Sequence, residues 1–504
     1  MRVPTCLTGL IAVLTAIRLA AAAEIIVDGA GSGDYSTIQA GISAASDGDT
    51  ILVYPGTYYE TIDFAGKDIT LMGDETNPEL VIIDGGGSGP VITFDTATAT
   101  ASMISGFTIQ AGSADMGAGI YGEGSGLTIS NNIITDNAAV TDGGGIYCDL
   151  TDSTVSGNVI TGNEAGDQGG GLYSESATLS ISDNRIINNR ANWGGGIYSK
   201  QGGDSIIDNL ITNNFVAYAG GGICYNYYLP IIANNRISSN RALYGGGIIG
   251  FNCADTLITN NEITNNRASD FGGGICCYCG DALILNNRIM GNTAEGHYGG
   301  GIDCDSSDAI IVGNVIAQNS ARRQGGGISC VNVSDPTVIN NTIAYNSAAS
   351  GGGISCSMWS NPIFANDIIW GNSATVSGDQ VRLEDDNCDP YFDYCDVEGG
   401  YAAFALGVGV TYNYGSCWGT GNINSNPNFS GRRTHPYALL STSPCIDTGD
   451  TSEIAHMTSI SVFTHEIIWS FTYSPYDAGN SDRLADGDSD GTEAVDMGAY
   501  EFMR

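Results

Sequence analysis

The chain has 504 residues carrying 55 acidic and 17 basic side chains, a formal net charge of −38. A surface this negative repels nucleic acid and anionic lipid, so neither is an expected partner. Polyanionic sugars are disfavoured for the same reason unless divalent cations bridge the charges.

The first 23 residues read as a secretory signal. Arg2 is followed by an apolar stretch from Leu7 to Ile17, and Ala21-Ala22-Ala23 offers a small-residue cleavage site. Arg18 interrupts the apolar run, which argues against a retained membrane helix. Removing residues 1–23 takes away Arg2 and Arg18 and leaves 15 bases against 55 acids, a net of −40. The expectation is an exported protein, extracellular or at the cell surface, with no membrane span in its mature part. Thirteen cysteines then remain of the 14, so at least one thiol should be unpaired within the chain.

Residues 24–112 read as an N-terminal cap and the first coils of a stack. Ile38, Ile42 and Ala45 share one helical face. A short helix here would cover the open end of a β-structure, where an unpaired edge invites aggregation. β-branched runs follow at Thr50–Val53, Ile69–Leu71, Val81–Ile83 and Val91–Ile92, separated by turns with Pro or Gly.

Residues 113–378 repeat one unit ten times. Glycine-rich turns begin at Gly117, Gly143, Gly169, Gly194, Gly220, Gly245, Gly272, Gly299, Gly325 and Gly351, at intervals of 25 to 27 residues. So constant a period means one supersecondary unit stacked on copies of itself. Ile or Leu follows each triplet with period-2 alternation, as in Ile146-Tyr147-Cys148. Two asparagine columns accompany it, one from Asn132 to Asn341 ending in Asp367, the other from Asn137 to Asn372. Stacked coils lie about 4.8 Å apart, so an amide can donate to one neighbour and accept from the other.

The fold class expected is all-β, a right-handed parallel β-helix of about 26 residues per coil and twelve to thirteen coils. TIQAGISAASDGDTILVYPGTYYE (Thr37–Glu60), ITLMG (Ile69–Gly73), IIDGGG (Ile82–Gly87) and GFTI (Gly106–Ile109) resemble the opening of pectin-lyase-like β-helix proteins. That group includes polysaccharide lyases, hydrolases and secreted surface proteins. The GGGI and I-x-x-N pairing is also similar to repeats of chlamydial polymorphic outer-membrane proteins, which implies an adhesin-like role. In the hydrolases of this group the resemblance implies clustered aspartates and a Gly-His-Gly turn, and in the lyases acid-held calcium with a Lys or Arg base. Here Gly296-His297-Tyr298-Gly299 stands without the aspartate cluster.

In a solenoid, function should sit in outward columns. One places Tyr121, Tyr147, Tyr173 and Tyr198 on four consecutive coils; another places Trp193, Tyr244, Phe271 and Tyr298 just before the triplet. Aromatic platforms stack on sugar rings, so a polysaccharide or cell-surface glycan or protein is the expected partner, although such ladders also form through packing alone. Asp270, His297 and Arg323 share a third column and suit acid–base work, or equally an exposed ion-paired surface. Cys277, Cys304, Cys330 and Cys356 read as core filling, while Cys253 with Cys279, Cys388 with Cys395 and Cys417 with Cys445 are placed for bridges.

Residues 379–504 are expected to form an acidic end segment closing the far end. YCDVEGG (Tyr394–Gly400), SPCIDTGD (Ser443–Asp450) and DMGAYEF (Asp496–Phe502) resemble the end of bacterial surface β-helix proteins. Asp486, Asp488 and Asp490 match the first half of a calcium loop, so structural Ca2+ is the one cofactor expected. The leading functional expectation is non-catalytic, adhesin-like binding; the rivals are a polysaccharide lyase or glycoside hydrolase and a purely structural surface component.

Overall fold

The computed structural model describes residues 22–94, 101–124, 126–149, 152–227, 229–252, 256–412, 417–449, 461–464, 467–470 and 496–499. The signal reading for residues 1–23 lies almost wholly outside them, as do Cys253 and the Asp486–Asp490 loop. Among the described residues no helix is long and apolar enough to cross a membrane.

Each coil runs through four short strands, which stack into four parallel sheets. In one mid-rod coil these are Leu257–Thr259 (sheet A), Glu262–Thr264 (sheet B), Arg267–Ala268 (sheet D) and Ile275–Tyr278 (sheet C). Sheets A, B, C and D contain 15, 14, 14 and 11 strands. That makes about fourteen coils, more than the triplets alone announce, because the first and last coils lack the glycine signature.

The asparagine columns bond as their chemistry dictates. Asn158 Nδ2 donates to Asn184 Oδ1 (3.1 Å) and to Ile129 O (2.8 Å), while its own Oδ1 accepts from Asn132 N (3.0 Å). Every link therefore holds both a neighbouring amide and a backbone group that would otherwise be buried unpaired. The first column ends on Asp367, whose Oδ1 accepts from Asn341 N and Nδ2 (2.6 and 3.0 Å). Its Oδ2 is buried without a partner, and burial pushes the carboxyl well above the usual range. The second passes from Asn372 Nδ2 to Gln380 Oε1 (2.7 Å).

Triplets bond to triplets: Gly144 N donates to Gly169 O and Gly145 N to Gly170 O (both 3.1 Å). A Cβ on Gly300 would lie 2.5 Å from Gly326 O, so the turns stack closely because side chains are missing. Inside the coils Ile, Val and Leu fill one continuous core that includes Cys148, Cys277, Cys304, Cys330 and Cys356.

The predicted helix is present as α1, Ile38–Ala44, with Ile38 and Ile42 fully buried. Seven residues cannot hold a helix alone, and the next coil supplies both ends. Glu60 carboxylate oxygens accept from Ile38 N and Gln39 N (2.8 and 3.1 Å). Lys67 Nζ donates to the carbonyls of Ile42, Ser43 and Ala45 (2.7, 2.9 and 2.8 Å).

The C-terminal segment first packs over the last coil, with Phe404, Tyr412, Cys417 and Trp418 against the core at Phe392. Strands continue the sheets through Leu406, and the chain then turns back along the outside of sheet B. Tyr437 and Ala499 pack on Val315, Ala317 and Ala344, and Met497 and Ile446 pack near Ile368. Gly498 N donates to Asn366 O (2.7 Å) and Ala499 N to Thr342 Oγ1 (3.0 Å). Asp447 N donates to Asp496 Oδ1 (2.8 Å), which joins the SPCIDTGD and DMGAYEF motifs.

The expected bridges at this end are not formed. Cys388, Cys395 and Cys445 are free thiols, and Cys445 Sγ donates to Asp396 Oδ2 (3.1 Å).

Candidate functional site

The tyrosines following the triplets do form a ladder. Tyr121, Tyr147, Tyr173 and Tyr198 pair in register, with ring centroids 5.3, 5.1 and 5.7 Å apart and planes within 8°. They point away from the coil interior, yet they are not a platform. Tyr147, Tyr173 and Tyr198 are 5, 1 and 5% exposed. The turn before each triplet folds over sheet C and makes a second small core with Met116, Trp193 and Tyr244 on its rim. The expectation of an open Tyr147–Tyr198 face is therefore corrected; Tyr121, at the end of the ladder, stays half-buried. Tyr173 Oη donates to Glu175 Oε2 (2.5 Å), while Glu175 Oε1 meets Lys200 Nζ (2.6 Å).

The second aromatic run remains accessible. Trp193, Tyr244, Phe271 and Tyr298 are half-buried, and Tyr218 joins them at 49% exposure. Trp193 stacks on Tyr218 (5.8 Å), Tyr244 on Phe271 (4.6 Å) and Phe271 on Tyr298 (6.3 Å). Rings stacked along the rod cover one another's faces, so the sides they present outward are edges and hydroxyls.

This run ends beside Asp270 and His297, whose Oδ1 and Nδ1 are in direct contact. His297 lies against Tyr298, with ring centroids 5.6 Å apart. Arg323 joins the pair through its backbone, N–H to His297 O (3.1 Å), while the residue itself is exposed. Glu295 instead pairs with Arg267. The structure thus brings two of the three proposed catalytic residues together.

One residue of this region escaped the sequence reading. Asp303 takes the position that tyrosine holds in earlier coils and is 1% exposed. Cys276 Sγ donates to its Oδ2 (3.9 Å), the neighbouring Ser329 hydroxyl partly stabilises the carboxylate, and the Ser355 hydroxyl is buried without a partner among the described residues. Burial pushes the Asp303 carboxyl up to about 8, with Asp305 and Asp270 adding to the effect. Asp303 is therefore a neutral acid at pH 7, near enough to Asp270 to feel its charge. The signal was in the sequence: the column changes from Tyr to Cys276, Asp303, Ser329 and Ser355.

A groove of about 440 Å3 lies at the other end of sheet C, lined by Asn252, Cys279, Asp281, Ser306, Asp308 and Asn332. Among the described residues no group of three His, Cys, Asp or Glu side chains is placed to hold a metal.

No curated protein resembles this sequence significantly. Among the solved structures it is similar to are the following three. A pectate lyase, Pel9A, is 16% identical with 95% of this chain and 96% of that one covered, at a TM-score of 0.39. A PL6 family alginate lyase, AlyGC, is 14% identical over 87% and 63%, at 0.40. PfbA, a surface adhesin of Streptococcus pneumoniae, is 12% identical over 72% and 87%, at 0.34. Likenesses this distant carry no argument about activity. The family model for the right handed beta helix region matches residues 81–227, 174–321 and 273–443 in overlapping segments. With four parallel sheets wound about one core, the chain belongs to the right-handed β-helix family.

Proposed function

We propose that the mature chain works outside the cell as a rod that holds a glycan or surface partner along its half-exposed aromatic run, without catalysis. The observation that carries this reading is continuity: Trp193, Tyr218, Tyr244, Phe271 and Tyr298 occupy one edge of five successive coils. A partner matched to that edge is itself elongated and lies along the rod. Contact comes from ring edges, from the Tyr218, Tyr244 and Tyr298 hydroxyls, and from the exposed flank of Tyr218. Export rests on the Met1–Ala23 pattern, and structural calcium on Asp486, Asp488 and Asp490. A Ca2+-dependent rise in melting temperature that Asp488→Asn abolishes tests the latter.

The test of binding is a glycan array comparing wild type with Trp193→Ala and Tyr218→Ala. Both changes are expected to weaken binding tenfold or more, about 1.4 kcal/mol. Unchanged affinity in both variants removes the aromatic run from the account. Tyr147→Ala is unsuitable, because that ring is part of the packing.

One observation favours an enzyme as second reading: the Asp270–His297 contact, with the neutral Asp303 acid within reach of the Asp270 charge. Release of unsaturated or reducing sugar ends by wild type, lost in His297→Ala, would establish it. No release by wild type across a polysaccharide panel would end it.

A further inference from the structure

The charge of this rod is divided between opposite edges. The edge formed by sheets B and D between residues 164 and 295 holds Arg185, Arg190, Arg236, Arg241, Arg267 and Arg288, against Glu164, Glu262 and Glu295. In a chain of net charge −38, this is a local reversal of sign. Arg190, Arg236 and Arg267 are paired with Glu164, Glu262 and Glu295, whereas Arg185 and Arg241 have no carboxylate partner among the described residues. Arg241 and Arg267 are direct neighbours in register. Like charges in that relation cost stability, so the fold gains nothing from the arrangement.

Around each coil the sheets follow the order A, B, D, C, which puts the corner between C and A across from the basic edge. That corner carries exposed Asp281, Asp308 and Asp335 on three consecutive coils, and Asp281 and Asp308 line the 440 Å3 groove. Each uses one oxygen to accept from the next coil's backbone: Asp308 N to Asp281 Oδ1 (2.7 Å), Asp335 N to Asp308 Oδ1 (2.8 Å), Asn361 N to Asp335 Oδ1 (2.6 Å). Both edges repeat at the coil spacing, about 4.8 Å. Arg241 and Arg267 stand one coil apart and Arg185 two coils before Arg241, so these arginines on one rod meet carboxylates on another at whole-coil spacings.

We infer that copies of this chain associate side by side, the arginine edge of one seated in the acidic groove of the next. The two surfaces differ, so the contact is heterologous and continues from copy to copy. Single exposed pairs are weak; repetition along a shared pitch makes the contact multivalent.

The test is sedimentation velocity of the whole mature chain over a concentration series. At about 0.1 M salt the Debye length is ~10 Å, which screens bulk repulsion between the rods but spares contact pairs; at about 1 M it is ~3 Å. Wild type is expected to grow at least about two-fold in mass at the lower salt and to be monomeric at the higher. Arg185→Gln/Arg241→Gln/Arg267→Gln alters exposed side chains and should stay monomeric at both. Asp281→Asn/Asp308→Asn/Asp335→Asn keeps each Oδ1 acceptor, hence the fold, and should also stay monomeric. Mixed together, each variant retains the edge the other lacks, so the mixture should give a dimer that grows no further. Wild type monomeric at every concentration, or either variant still assembling, overturns the inference. So does a monomeric wild type that binds immobilised polygalacturonate through these arginines, since the edge then serves an acidic polymer.

Discussion

Replacing Asp303 by asparagine should remove a pH-dependent weakness from the rod. The wild-type carboxyl rises from 3.8 to about 8, chiefly through burial. Between those values the folded chain keeps a proton that the unfolded chain has lost, so stability falls as pH rises. The loss begins near pH 4, amounts to about 1.4 kcal/mol per pH unit, and levels off above about 8 at roughly 6 kcal/mol. The substituted amide is nearly isosteric with the carboxyl and neutral throughout. Urea denaturation followed by far-ultraviolet circular dichroism at several pH values should place the two proteins close together at pH 4. They should then separate to about 4 kcal/mol by pH 7. Asp142 and Asp396, each pushed to about 6 mainly by burial, titrate in both proteins and cancel in the difference. An offset between the curves that is constant with pH would refute the assignment of a buried neutral acid.

Three further outcomes follow from the packing. Asn240→Ala removes bonds to Ile211 O and Asn266 Oδ1 and those received from Asn214 N and Nδ2, and should cost about 3–4 kcal/mol by urea denaturation. Tyr173→Ala opens a space under the turns and should cost about 3–5 kcal/mol, with near-ultraviolet circular dichroism reporting the broken Tyr ladder. Asp367→Asn keeps the accepting oxygen but removes a carboxyl whose ionised form burial disfavours, and should stabilise by about 1–2 kcal/mol at pH 7. Its advantage should shrink as the pH falls and vanish below about pH 3, where the carboxyl is protonated in both states.

Much of the fold was legible because the repeat supplies its own alignment. Ile146-Tyr147-Cys148 gave strand alternation, Asn132 to Asn341 gave a ladder, and Ile38 with Ile42 gave the helix. Burial of Tyr147, Tyr173 and Tyr198 was not legible, because alternation says which side of a strand a residue takes and not what lies over that side. The pre-triplet turn covers sheet C, a tertiary event with no local signature. The return of the C-terminal segment had left a trace: outward positions on sheet B change from Arg236 and Glu262 to Val315, Ala344 and Ile368. At the candidate site, the contact between Asp270 and His297 followed from the period. Asp303 did not, since a carboxyl in a tyrosine column reads as an exception until its burial is known.

The asparagine ladders give the rod a sense of direction and an adjustable length. Each amide donates toward the C-terminal side, so every internal link is alike and the ends differ: the first ladder must finish on a group that accepts, as Asp367 does. Duplicating or deleting one whole coil inside the array leaves all remaining links intact. Lineages can therefore lengthen or shorten such a chain in steps of one coil, about 4.8 Å, while its edges keep their spacing and both ends keep their fittings.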